Sequence, residues 1–376
     1  MQYAAIILCY NIKMIRTKNK GHAEQPQIEV VDLFCGIGGL SYGMKIAGLK
    51  ILAGFDLDST CKYAYETNTK GTFIHKDIGQ VTGDDIASKY TEDAIHVLAG
   101  CAPCQPFSSY AFKNKEKDPN KYDLLYEFGR LIKEVKPDVV TMENVPSIKN
   151  FKLKSVLSDF IELLKKEEYK VWCKVVYCPD YGIPQTRKRL VLLASRLGDI
   201  HLIAPTCSKE NYVTVRHVIE KIEPLEAGQK SASDPIHKSR KLTPICLRRI
   251  QSTPEGGGWS NWEPSLRLEC HKKRNGKSFG AVYGRMKWDA PAPTMTTQCT
   301  SIGSGRFGHP NQNRAISPRE AALLQTFPKS YKFFKDEETA SFRQLSRYIG
   351  NAVPPRLGEV IGFSILTHIN DKELSK

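Results

Sequence analysis

With 376 residues, 41% apolar and 25% charged, the chain has the balance of a folded globular protein and enough length for a large core or two domains. Fifty-five Lys and Arg against forty Asp and Glu leave a net charge of +15, which favours a polyanionic partner such as nucleic acid. Eleven cysteines without framework spacing argue against a secreted disulfide scaffold, and no apolar stretch is long enough for a transmembrane helix.

The apolar run 4–10 is too short to span a bilayer and lacks the basic region of a signal peptide. Residues 1–27 read as a disordered leader, with Met14 as an alternative start. The β-branched run 28–34 predicts a buried strand that ends in Cys35-Gly36-Ile37-Gly38-Gly39. Leu40, Met44 and Ile46 then predict a helix, stopped by Gly48. Strand signals recur at 51–55, 96–100, 138–142, 169–177 and 189–194, with helical patterns at 60–68, 122–135 and 156–166. This alternation predicts an α/β fold with a doubly wound, mostly parallel sheet. After about residue 200, Pro, Gly, Ser and Lys become dense and helical periodicity fades, which predicts a smaller second domain rich in loops and strands. Helices return at 317–324 and 355–369. The expected organisation is a catalytic domain over 28–200, a second domain over 201–342, and a segment over 343–376 that returns to the first.

Glycines at a strand-to-helix turn let a ligand approach the backbone closely. Here Gly36 and Gly38 are followed, at the end of the next strand, by Asp56, where a carboxylate holds a ribose hydroxyl in nucleoside-binding folds. Asp58 and Asp77-Ile78 add to the pattern, which carries no P-loop lysine. On residues alone a tight structural turn competes with a cofactor turn.

Cys104 lies in Gly100-Cys101-Ala102-Pro103-Cys104-Gln105-Pro106-Phe107-Ser108, just past the third strand signal. A buried inert cysteine and a redox or half-zinc C-x-x-C are competing readings, but no second pair completes a zinc site, so no metal is expected. Further along come Thr141-Met142-Glu143-Asn144-Val145 and Gln185-Thr186-Arg187-Lys188-Arg189. Two arginines at i, i+2 on an extended segment point to one side, a spacing suited to gripping an oxygen and a phosphate together. Arg314–Ala321 and Arg347-Tyr348-Ile349-Gly350-Asn351-Ala352-Val353-Pro354-Pro355 follow.

Taken in this order, the segments resemble the DNA (cytosine-5-)-methyltransferases of prokaryotic restriction-modification type, over nearly everything from Ile28 to Leu366. The resemblance implies a Rossmann-like methyltransferase domain and S-adenosyl-L-methionine as methyl donor, with S-adenosyl-L-homocysteine as product. It implies that Asp32, Phe34, Gly36, Gly38, Asp56, Leu57, Asp77, Ile78, Pro103, Asn351 and Val353 line the cofactor site. Catalysis would rest on Cys104 as nucleophile, Glu143 as acid, and Arg187 and Arg189 beside them. Gln105, Ser108 and Gln185 would face DNA or support that contact. Readout of a specific duplex sequence would fall to the variable region, with Arg248, Arg249, Lys272, Lys273 and Arg274 as candidates. The family usually has Glu where this chain has Asp56, and Pro-Pro or Phe-Pro where it has Ala102-Pro103. Its habits further imply a monomer in the cytoplasm, with the nucleoid, and a cognate restriction endonuclease. Two alternatives remain at this point. One is a transfer-RNA cytosine-5 methyltransferase, although its Cys-Phe-Thr signature is absent from this sequence. The other is a catalytically silent DNA-binding protein, against which the intact Cys104, Glu143, Arg187 and Arg189 speak.

Overall fold

The computed structural model describes residues 27–102, 123–149, 154–273 and 279–373. The apolar, β-branched runs form seven strands: β1 (Ile28–Leu33), β2 (Lys50–Asp56), β3 (Thr72–His75), β4 (Ile95–Gly100), β5 (Val139–Asn144), β6 (Lys170–Tyr177) and β7 (Lys188–Ser195). In chain order the helices are α1 (Gly39–Ala47), α2 (Lys62–Thr69), α3 (Gly83–Ala87), α4 (Asp123–Val135), α5 (Lys154–Lys166), α6 (Val215–Ile219), α7 (Pro244–Gln251), α8 (Glu269–Lys272), α9 (Pro318–Leu324), α10 (Phe342–Asn351) and α11 (Pro355–Glu373).

The strands make one sheet in the order β3-β2-β1-β4-β5-β7-β6. The first five strands are mutually parallel, and β7 runs antiparallel to both its neighbours. Strand order reverses between β1 and β4. In open α/β sheets ligands bind outside the carboxyl ends of the strands at such a switch point.

Alternation along each strand sorts side chains between the two faces. Val31, Leu33, Leu98, Val140, Met142, Leu190 and Leu192 join Phe128, Leu131 and Phe160 of α4 and α5 in one fully buried cluster. Glu143 and Arg189 belong to the opposite parity of β5 and β7. The β5–β7 pairing sets Glu143 against Val191, so Arg189, two residues away, shares the face of Glu143.

Helix α11 reaches the sheet through a close crossing with α1. A Cβ on Gly43 would lie 2.1 Å from the Pro355 carbonyl oxygen, and one on Gly358 would lie 2.5 Å from the Leu40 oxygen. Only glycine at both positions allows the two backbones to approach this far. Ser195 Oγ, at the end of β7, and His368 Nε2 of α11 lie 2.8 Å apart and secure the far end of that helix.

The described chain divides into two compact units. Unit 1 holds residues up to Tyr177, then Lys188–Thr206 and Val353 onward; unit 2 holds Cys178–Arg187 and Cys207–Ala352. The turn between β6 and β7 therefore belongs to unit 2, as does α10, and the return to unit 1 begins at Val353 instead of residue 343. The expected strands of the second domain are absent among its described residues. Short helices and isolated bridges take their place, such as Gln185 with Ala292 and Gly308 with Arg285 and Ala315. Side chains organise unit 2 instead. Arg314, fully buried, pairs with both carboxylate oxygens of Glu320 at 2.7 Å. Arg285 donates to the carbonyl oxygens of Thr253, Ile250 and His309. Among the described residues no helix is long and apolar enough to cross a membrane.

Candidate active site

The turn after β1 has the backbone that its glycines announced. Gly36 and Gly38 have φ of 49° and 87°, and Phe34, which is not glycine, also sits in the left-handed region at 58°. Such a residue stores strain of order 1–3 kcal/mol, which persists where the surroundings over-determine it. A Cβ on Gly36 would meet nothing within 4 Å, so space is open above the turn at that point.

Asp56, at the end of β2, closes this turn from the side. Its Oδ2 accepts from the Gly36 N–H at 2.8 Å and its Oδ1 from the Asp58 N–H at 2.8 Å. Burial pushes the Asp56 carboxyl up, and the two backbone donors oppose the shift. Leu57 follows with 66% of its surface exposed, unusual for leucine at a strand end. After β3, Asp77 caps a short turn by accepting from the Gly79 N–H at 3.0 Å, with Ile78 buried beside it. Asp32 lies under the turn, where Ser41 Oγ donates to its Oδ2 at 2.5 Å. Its Oδ1 is buried with no hydrogen-bond partner, and burial pushes this carboxyl up to about 7. Ser41 carried no sequence signal; it faces Asp32 only because α1 folds back over β1.

A second group sits at the tips of β4, β5 and β7. Arg189 Nε lies 2.7 Å from Glu143 Oε1, and both side chains are largely buried. On the other carboxylate oxygen, the Cys101 thiol donates to Oε2 at 2.9 Å. Asn144 Nδ2 donates to the Ala102 carbonyl at 3.3 Å and ties the end of β5 to the segment after β4. That segment leads to Pro103, Cys104, Gln105 and Ser108, which lie outside the described residues, as does Arg274.

The remaining expected residues fall elsewhere. Arg187 belongs to unit 2, is 2% exposed, and donates to the Met295 carbonyl at 3.2 Å. Gln185 is fully buried: its Nε2 donates to Leu324 O and Gln325 Oε1, and its Oε1 accepts from the Met295 N–H. With both side-chain polar atoms engaged internally, Gln185 braces unit 2. Arg249 fails as a base reader. It is 9% exposed, donates to the Leu266 carbonyl and lies over the Trp262 and Tyr283 rings. Arg248, Lys272 and Lys273 are exposed, and Lys272 pairs with Glu269 at 2.6 Å. Asn351, also exposed, ends α10 in unit 2, and Val353 is buried in unit 1.

A sheet of this order, with a glycine turn and carboxylates along its switch point, defines an α/β enzyme that holds a nucleoside cofactor. The family profile of C-5 cytosine-specific DNA methylases matches residues 28–367. The chain is 51% identical over 336 residues to the Type II methylase M.HgiDII of Herpetosiphon aurantiacus, covering 89% of this chain and 94% of that protein. It is 32% identical to the Type II methyltransferase M.PspPI of a Psychrobacter strain, covering 91% and 79% respectively. Its fold superposes with a TM-score of 0.70 on an Escherichia coli prophage protein described as a DNA modification methyltransferase, at 22% identity over 92% of this chain and 100% of the other. Entamoeba histolytica methyltransferase EhMeth gives 0.62 at 18% identity, over 92% and 99%. The chain belongs to the C-5 cytosine-specific DNA methylases. It is a DNA (cytosine-5-)-methyltransferase, and its methyl donor is S-adenosyl-L-methionine.

The residues present fit that donor. The open space at Gly36, the Asp56 and Asp77 carboxylates, and the exposed Leu57 together offer a polar and an apolar surface to a nucleoside.

Proposed function

We propose that the chain methylates C5 of one cytosine within a specific duplex DNA sequence, as the modification partner of a Type II restriction endonuclease. Support for that context comes from relatives that carry Type II names across most of their length. The mechanistic reading rests on one observation: Glu143 and Arg189 meet at 2.7 Å at the strand tips where the chain departs toward Cys104.

Cytosine C5 is too weak a nucleophile to take a methyl group unaided. Attack by the Cys104 thiolate on C6 pushes electrons toward N3 and the ring carbonyl, and leaves C5 enamine-like. Glu143 delivers its proton to N3 as that charge develops. Arg189 holds the Glu143 carboxylate and offers its outer N–H groups to the cytosine O2. Phe34, Gly36, Asp56, Leu57, Asp77 and Ile78 would hold S-adenosyl-L-methionine, which would supply an electrophilic methyl carbon to C5 and leave as S-adenosyl-L-homocysteine. A base then removes the C5 proton, the C6–S bond breaks with Cys104 departing as thiolate, and N3 returns its proton to Glu143. A stacked base hides C6, so the target must leave the duplex at a cost of a few kcal/mol. The net charge of +15 offsets this through phosphate contacts, for which the exposed Arg248, Lys272 and Lys273 are candidates. Arg187 braces the Met295 segment, and its role in catalysis is indirect. The reading places the enzyme in the cytoplasm, with the nucleoid.

Bisulfite sequencing of a genome that expresses the chain gives the target sequence. Duplexes with 5-fluorocytosine at that target should then trap the wild type as a denaturation-resistant adduct in the presence of the donor, because fluorine cannot leave as a proton does. Cys104→Ser should form none. Adduct formation by Cys104→Ser, or none by the wild type, overturns the mechanism.

A further inference from the structure

We propose that the Cys101 thiol is a positioning residue for the Glu143 carboxyl, fixing how that group presents its proton to the base. The inference rests on the reading of Glu143 as the acid.

The pairing of β4 with β5 ends at Gly100 opposite Met142, so Cys101 stands one step beyond, level with Glu143. Its backbone is fixed on both flanks. The Cys101 N–H donates to the Leu33 carbonyl at 3.2 Å, and the next carbonyl, that of Ala102, accepts from Asn144 Nδ2. The side chain is thereby aimed at Glu143, and Sγ reaches Oε2 at 2.9 Å while Arg189 Nε lies 2.7 Å from Oε1. Glu143 is 4% exposed, so solvent does not supply an alternative partner freely.

The final torsion of a glutamate is soft and roughly two-fold, so a carboxyl contacted on one oxygen alone would still tilt. The thiol hydrogen bond on Oε2, with the Arg189 guanidinium paired against Oε1, removes that freedom. The chemical type of the second donor matters. Another ammonium or guanidinium on Oε2 would hold the carboxylate ionised, which defeats an acid. A thiol is a weak, neutral donor, and orients the group without trapping its charge. Cys101 from the end of β4 and Arg189 from β7 both contact Glu143, and its own strand continues with the neutral Asn144.

The test compares Cys101→Ala, Cys101→Ser and Glu143→Gln in the full chain, measuring single-turnover methyl transfer on the mapped duplex. Cys101→Ala should lose roughly tenfold in rate. KM for DNA should stay put. Cys101→Ser keeps a donor, and should recover all but about two- to threefold of the wild-type rate. Independently of turnover, the S–H infrared band that disappears in Cys101→Ser should move to higher frequency in Glu143→Gln, because a neutral amide accepts more weakly. An Ala variant with the wild-type rate, a Ser variant as impaired as Ala, or an unmoved S–H band overturns the proposal. Should Glu143→Gln itself keep full activity, the acid role falls and this inference with it. An inactive Glu143→Gln beside an unaffected Cys101→Ala removes the inference alone.

Discussion

Arg189 Nε and Glu143 Oε1 are 2.7 Å apart on one face of the sheet, although the two residues are far separated in sequence. Period-two alternation and the antiparallel β5–β7 register bring them together, because Glu143 pairs with Val191 and Arg189 lies two residues along. A buried ion pair is weak evidence for stability, since desolvation opposes attraction. In the proposed mechanism its value lies in holding a carboxyl where a substrate needs it.

Arg189→Lys tests that value. Lysine keeps the charge but loses the planar fork, so it cannot hold Glu143 and a base oxygen together. The rate of single-turnover methyl transfer should fall by roughly 10²-fold. In a cycle with Glu143→Gln the two losses should be far from additive, as for groups in direct contact. Additive losses would mean that the pair does not act as a unit.

Leu57 separates binding from folding. It is 66% exposed, so Leu57→Ala should leave the urea midpoint within the scatter of surface substitutions, about 0.5 kcal/mol. Loss of apolar cover should weaken S-adenosyl-L-homocysteine by roughly tenfold in calorimetric titration. Unchanged affinity would place the nucleoside elsewhere.

Asp32 should make stability depend on pH. Burial, with a smaller push from the Asp56 charge, raises its carboxyl to about 7, against the Ser41 hydrogen bond. The folded state therefore holds a proton that the unfolded chain releases near its ordinary value, so stability falls as pH rises between about 4 and about 7. Asp32→Asn carries no such proton and offers a neutral group at the partnerless Oδ1 position. In the cofactor-free protein, the difference in urea stability between wild type and Asp32→Asn should move in favour of the variant across that window. A difference that stays flat with pH would show that Asp32 is already ionised at its base.

Gln185→Ala should act on folding. Three internal hydrogen bonds end on this fully buried amide. Their loss leaves the Met295 N–H and the Leu324 carbonyl without that partner, which costs about 2 kcal/mol. The urea midpoint of the full chain should drop, and an effect confined to KM for DNA would restore the substrate role.

How much of this was legible beforehand varies by element. Apart from the short β3, the strands of unit 1 appear where apolar runs predicted them, and the central parallel ones are the plainest because they are buried on both faces and must be apolar throughout. The glycine turn and Asp56 were legible for the same local reason: positive φ and a carboxylate at a strand end are written in residue type. Unit 2 was not, because its frame consists of buried Arg285, Arg314 and Gln185 holding carbonyls distant in sequence, and such residues look like surface charges and amides when read singly. Arg249 misled in this way, and so did α10, whose last residues, Gly350 and Asn351, open a conspicuous Gly-Asn-Ala-Val string that draws attention from the helical periodicity before it.

Residue order alone determined most strands of the sheet and the glycine turn, since each depends on short runs whose periodicity or backbone demand is local, and the kind of reaction followed from the ordered segments through their resemblance to a known family. Tertiary structure alone decided that Cys101 and Arg189 contact opposite oxygens of Glu143, that Ser41 serves Asp32, and that Gln185 and Arg249 are interior braces. These facts depend on strand register and on side chains brought together from distant positions. No local pattern encodes which of many polar residues will lose its water.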